Sequence, residues 1–245
     1  MLDIRTIPAR IIELVTAAAV LACDSPPSGP AGAQQGGEEE DGPVTIAEAY
    51  VTDYDRDHNV DSPAIWRRGD GGWLFATAKV TDLVLVFDAT DGSLRTSFGG
   101  EGKGRGQLDR PNGILVVDDL LFVVERNNRR VQVFSLPDLE SLGTFGEDTL
   151  ERPYGITALR KDSRAIDVYV TDQDERTNVD EELLLGSRVK QFHVVRQGDD
   201  IDATLVRAFG ETSGKGVLHA VESIYADPVH DRLLIADEAL DDYKV

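Results

Sequence analysis

The sequence predicts an all-β fold built from repeated blades, a partial β-propeller, and three observations carry that expectation. An aromatic-glycine pair recurs as Phe98-Gly99, Phe145-Gly146 and Phe209-Gly210, each closing an apolar segment ahead of a loop. Beyond the loops stand Pro111-Asn112-Gly113-Ile114, Pro153-Tyr154-Gly155-Ile156 and Val221-Glu222-Ser223-Ile224, the same place in three successive units. After residue 23, short β-branched and aromatic runs replace helical periodicity. A period of roughly 40–65 residues with several strands in each is the pattern of propeller blades.

The elements follow in chain order. Residues 1–23 carry Arg5 and Arg10 ahead of the short apolar run Ile11–Ala22, the layout of a secretory signal peptide. Val20-Leu21-Ala22-Cys23 resembles a lipoprotein lipobox, which makes Cys23 a candidate lipidation site and the chain a secreted, periplasmic or cell-surface lipoprotein. Contact with a membrane is then expected only through the lipid anchor. Residues 24–43 are rich in Gly, Pro, Gln and Glu and read as a disordered linker. The propeller is expected over 44–245. Its first strands are Trp73–Thr77 and Leu83–Phe87, turning at Asp91-Gly92. Leu120–Glu125, Asp167–Asp172 and Arg232–Asp237 are strands closed by an acid; Val131–Phe134 and Val189–Val194 follow the first two of them. Runs such as Leu83-Val84-Leu85-Val86-Phe87 are apolar throughout because a blade packed between two neighbours is buried on both faces. The polar stretches Asp174–Ser187 and Asp199-Asp200 read as blade-edge loops. About three and a half blades fit between Val44 and Val245.

Composition narrows function. The chain has 245 residues with 25 Lys plus Arg against 45 Asp plus Glu, a net charge of −20, so a generic basic surface for nucleic acid is excluded. One cysteine excludes an internal disulfide framework and a thiolate zinc cluster. No run reaches the length of a spanning helix. His58, His193, His219 and His230 show no paired metal spacing. Gly102, Gly104 and Gly106 precede no helix pattern, so they read as turn geometry and not as a dinucleotide fingerprint. Asn128 and Arg130 likewise read as a structural turn.

Two family resemblances refine this picture. Residues 98–117 with 121–134 resemble an NHL repeat, with its glycine-rich loop, Pro-x-Gly-Ile entry and Asn-x-Arg-Val-Gln-Val exit. Asp61-Ser62-Pro63-Ala64-Ile65-Trp66, followed by Trp73–Lys79, resembles the first blade of the β-propeller phytases. Tyr154-Gly155-Ile156 matches that family's Y-G-F segment, and 221–227 with 232–238 match its later E-G-M and L-Y-I-A-E-E segments. The chain departs from the family at Ser62, Arg152 and Ser223. The resemblance implies a six-bladed propeller, of which roughly two blades lie outside this sequence, and a monomer when full length. It also implies a calcium-dependent phosphomonoesterase acting on phytate or another phosphorylated small molecule. On that model Asp61, Glu222, Asp237 and Glu238 are Ca²⁺ ligands, Lys79 and Arg126 act catalytically on phosphate oxygens, and Arg110 binds substrate. Asp55, Asp57 and Asn59 have the spacing of a calcium loop but read first as a solvated turn. The alternative is a non-catalytic NHL-type propeller that binds a protein or glycan at the cell surface. A metal-dependent lactonase on a similar scaffold has no specific pattern here.

Overall fold

The computed structural model describes residues 46–52, 56–162 and 165–239. The signal segment with Cys23, the linker 24–43 and Asp55 lie outside the described residues. The sheets belong to the unit Tyr50–Val245. None of its described helices is long and apolar enough to cross a membrane.

The fold is all-β and partial-propeller in layout, with four antiparallel sheets in chain order. The first holds β1 (Val60–Arg68), β2 (Gly71–Ala78), β3 (Leu83–Asp88) and β4 (Leu94–Gly99). The second holds β5 (Pro111–Val117), β6 (Leu120–Glu125), β7 (Arg130–Ser135) and β8 (Ser141–Phe145). The third holds β9 (Pro153–Arg160), β10 (Ala165–Asp172), β11 (Val189–Gln197) and β12 (Asp200–Phe209). A two-stranded sheet of β13 (Val221–Asp227) and β14 (Arg232–Asp237) follows. Each is a meander whose first strand is innermost, and β1, β5, β9 and β13 neighbour one another in that sequence.

Burial on two faces explains the continuous apolar runs. On β6, Leu120, Phe122 and Val124 pack with Ile156, Val168 and Val170 of the third blade. The intervening Leu121 and Val123 pack with Trp66, Phe75, Val84 and Val86 of the first. A strand exposed on one side would alternate; this one cannot, because each methyl or ring faces a neighbouring blade. Each such side chain contributes roughly 1.5–3 kcal/mol by leaving water. Two of the three Phe-Gly aromatics pack on a neighbouring ring: Phe98 meets Phe134 and Phe145 meets Phe192, both at 4.9 Å between ring centres.

The acids that close the second strands are structural staples. Glu125 accepts from the Asp109 N–H at 3.3 Å, Asp172 from those of Glu151 and Arg152 at 3.0 and 2.6 Å. Asp237 accepts from His219 and Ala220 at 3.1 and 2.8 Å. In every case the donors belong to the loop that enters the same blade, so the acid ties that loop to the second strand. Asn128 and Arg130 serve the same loop in the second blade, through the Gly102 and Lys103 carbonyls at 2.7 and 2.8 Å.

Two expected loops are not wholly loops. The stretch Asp174–Ser187 contains a five-residue helix, α1 (Glu181–Leu185). Asp180 caps it through the Glu182 N–H at 2.8 Å, and a pair of acids in its first turn suits the helix dipole. Asp200 opens the ten-residue strand β12, so Asp199-Asp200 is a hairpin tip.

Candidate functional site

The site grows from one repeated irregularity. In each blade the residue that opens the innermost strand pairs with the end of the second: Val60 with Ala78, Pro111 with Glu125, Pro153 with Asp172 and Val221 with Asp237. Regular pairing resumes at Pro63, Ile114, Ile156 and Ile224, three residues on against two on the partner. Each inner strand therefore carries a bulge at the same place, and bulges re-aim side chains. The second position of the four strands is occupied by Asp61, Asn112, Tyr154 and Glu222.

Close backbone approach seats these strands. A Cβ on Gly113 would stand 2.5 Å from the Tyr154 carbonyl oxygen, and one on Gly155 would stand 2.2 Å from that of Glu222. Only glycine fits either place. Two threonines complete the seating. Thr77 Oγ1 donates to the Asn112 carbonyl at 2.8 Å, and Thr171 Oγ1 donates to the Glu222 carbonyl at 2.7 Å.

Five of the residues singled out in the sequence meet around Tyr154. Lys79, just past β2, places Nζ 2.8 Å from Asp61 Oδ1 and donates to the Tyr154 hydroxyl at 3.2 Å. Its ammonium also lies 5.4 Å from the centre of the Tyr154 ring, and the Arg126 guanidinium lies 5.8 Å from it. Burial works against the Lys79 cation, yet the bonds to Asp61 and Tyr154 outweigh it and hold the pKa above the ordinary lysine value. Tyr154 is pushed up by burial and by the Glu222 and Asp61 charges, against the pull of Lys79. Glu222 is pushed up by burial and then by Glu238, to whose carboxyl it is hydrogen-bonded; Lys79 and Tyr154 act in the opposite direction.

The Glu222–Glu238 pair has a consequence for stability. A raised folded-state pKa means that the native state favours the protonated form, so this contribution is present in acid and lost as pH rises. Glu222→Gln is therefore expected to melt above the parent at neutral pH, with the gap closing below the ordinary carboxylate range near pH ~4. Equal melting temperatures at both pH values would show that the two carboxyls do not repel.

Beside this cluster opens a cleft of about 580 Å³ lined by Arg110, Arg126, Asn127, Arg129, Glu151 and Arg152. Arg129 pairs with Glu151 at 2.9 Å, and Arg152 pairs with Glu175. Arg110 and Arg126 make no ion pair among the described residues. The cleft thus collects positive charge on a chain whose net charge is −20. Arg126 belongs to both features and links them.

The remaining expected site residues fall elsewhere. Asp237 is buried, and its oxygens accept from His219, Ala220 and Ala239, which gives it the staple's task described above. Asp57 lies in a turn and Asn59 just after it, with a left-handed φ of 47° at Asn59. No three His, Asp or Glu side chains converge as a metal cage among the described residues. Glu222 and Glu238 lie close enough for each carboxyl to act on the other, and Asp61 is held on the far side of Lys79. Sequence reasoning did not foresee the bridging of Tyr154 or the presence of Arg129 and Arg152 in the cleft. The signal available was the shared second position of the inner-strand motif.

The sequence matches no family model and no curated protein. Among solved structures it is similar to the hydrazine synthase of Kuenenia stuttgartiensis, at 12% identity over 81% of this chain and 47% of that one, TM-score 0.49. It is also similar to the computationally designed Ika4 protein, at 10% identity over 78% of this chain and 98% of that one, TM-score 0.43. A third is the virginiamycin B lyase of Staphylococcus aureus, at 13% identity over 74% of this chain and 50% of that one, TM-score 0.45. The chain thus spans about half the length of the synthase and lyase chains, 47% and 50%.

Proposed function

We propose that this propeller is a calcium-assisted phosphomonoesterase acting on phytate or another phosphorylated small molecule. The observation that carries the reading is the meeting, through Arg126 and Tyr154, of an arginine-lined cleft with a pair of touching carboxyls. Phosphoryl transfer asks mainly for positioning and for charge stabilisation, and both features supply them without a nucleophilic side chain. On this reading Arg126 and Lys79 would donate to phosphate oxygens, and Arg110, Arg129 and Arg152 of the cleft would meet further phosphates. Tyr154 keeps Lys79 in line by accepting from it. Glu222 and Glu238, with Asp61, are the residues that would hold Ca²⁺. When bound, such an ion supplies neutralisation of the ester's charge and activation of water.

The test is phosphate release from phytate by the full chain, first with millimolar Ca²⁺ and then with excess chelator. Release that chelation abolishes is the expected outcome, together with a higher melting temperature in calcium. No release under either condition would overturn the proposal and favour a propeller that binds without catalysis.

A further inference from the structure

The arginine-lined cleft carries an anion of its own. Of the described residues that line it, Glu151 is the one acid, set among Arg110, Arg126, Arg129 and Arg152. Its two carboxyl oxygens are held by different guanidinium groups. Arg129 Nη1 lies 2.9 Å from Oε2, and Arg176 Nη1 lies 3.1 Å from Oε1. The carboxylate thus bridges two forks whose geometry suits a phosphate group equally well.

Both the backbone of Glu151 and the Arg176 guanidinium are anchored. The Glu151 and Arg152 N–H groups donate to Asp172 at 3.0 and 2.6 Å, which fixes the loop entering the third blade. Arg176 belongs to residues 173–188, which join β10 to β11; in the second blade only 126–129 fill that link. The buried Asp174 grips its guanidinium with both oxygens, at 2.9 Å from Nε and 2.5 Å from Nη2. The grip leaves Nη1 to reach Glu151. The Glu151 side chain keeps 22% exposure, so water screens its two ion pairs and an incoming anion can replace them.

We infer that Arg129 and Arg176 form an oxyanion clamp in which the Glu151 carboxylate is the resident competitor. A phosphate group that enters the cleft takes the place between the two guanidinium groups, and the Glu151 side chain turns out to solvent. The long link of the third blade thereby adds Arg176, which is not among the cleft's lining residues, to the groups that bind ligand. The clamp rests on the reading of the cleft as a phosphate site and adds a binding residue and a built-in rival to it.

The probe is inorganic phosphate, titrated calorimetrically into the full chain at physiological ionic strength. Glu151→Gln keeps the shape of the side chain and removes the rival charge, and it is expected to tighten phosphate binding by about tenfold. Glu147→Gln, an equal change of net charge at an exposed position of the preceding loop, should stay within about twofold of the parent. Arg176→Lys, made in the Glu151→Gln background, keeps the charge and loses the fork; it should give back about fivefold or more of the gain. Unchanged or weaker binding in Glu151→Gln would overturn the clamp, as would equal tightening by Glu147→Gln. So would a gain that Arg176→Lys leaves intact, or the lack of any phosphate binding in parent and variants alike. Phytate hydrolysis is scored apart: a parent that binds phosphate without releasing it from phytate loses the hydrolase reading, while the clamp is decided by the dissociation constants alone.

Discussion

Arg130→Met is expected to cost about 3–5 kcal/mol of folding stability, a large share of the roughly 5–15 kcal/mol that holds a typical domain folded. Glu125 is completely buried and accepts from Arg130 Nε at 2.6 Å, Asn128 Nδ2 at 2.5 Å and Gln132 Nε2 at 3.1 Å. Burial pushes its carboxyl up, and Arg130 is the strongest force pulling it back. Without the guanidinium, a carboxylate is left uncompensated where the entering loop meets the end of the second strand. The double variant Glu125→Gln with Arg130→Met should recover much of the loss, because no charge then remains to be buried. Urea unfolding at neutral pH reads both effects. A single variant as stable as the parent would mean that water reaches Glu125.

On the proposed phosphomonoesterase reading, Lys79→Met should lower phosphate release from phytate by about 10²-fold, the scale of loss when one preorganised donor to a developing charge is removed. Methionine keeps the length of the side chain but leaves Asp61 and Tyr154 without the group that joins them. Folding should be little affected, since Asp61 retains 27% exposure and can be hydrated. The raised pKa of Lys79 adds a condition on pH. Its cation persists through the ordinary lysine range, so any fall in activity below that range must come from other groups. Turnover in the variant equal to that of the parent, with an unchanged melting temperature, would remove Lys79 from the chemistry.

The strands were legible because their apolar runs are a direct print of two-sided burial. Leu83–Phe87 and Leu120–Glu125 could sit nowhere but between blades. The helix Glu181–Leu185 was not legible, since five residues are too few for a period to declare itself. Of the site, Asp61, Lys79, Arg126, Glu222 and Glu238 do come together. Asp237 marks where legibility stops. Whether an acid at a strand end faces a loop's N–H groups or a ligand depends on one bond rotation and on the bulge beside it, and neither is written in residue type. Tyr154 was hidden for a different reason. Its partner Lys79 lies on another blade, 75 residues away, and convergence of blades leaves no trace in local spacing.

The bulge repeated in every inner strand separates two jobs that most strands must combine. Flanking residues keep the blades in place, while the residue at the bulge is free to vary, as the succession acid, amide, phenol, acid already displays. Each blade thus offers an interchangeable socket. The strand pairing on either side of the four occupants is the same in every blade, so their chemistry differs with no change of register.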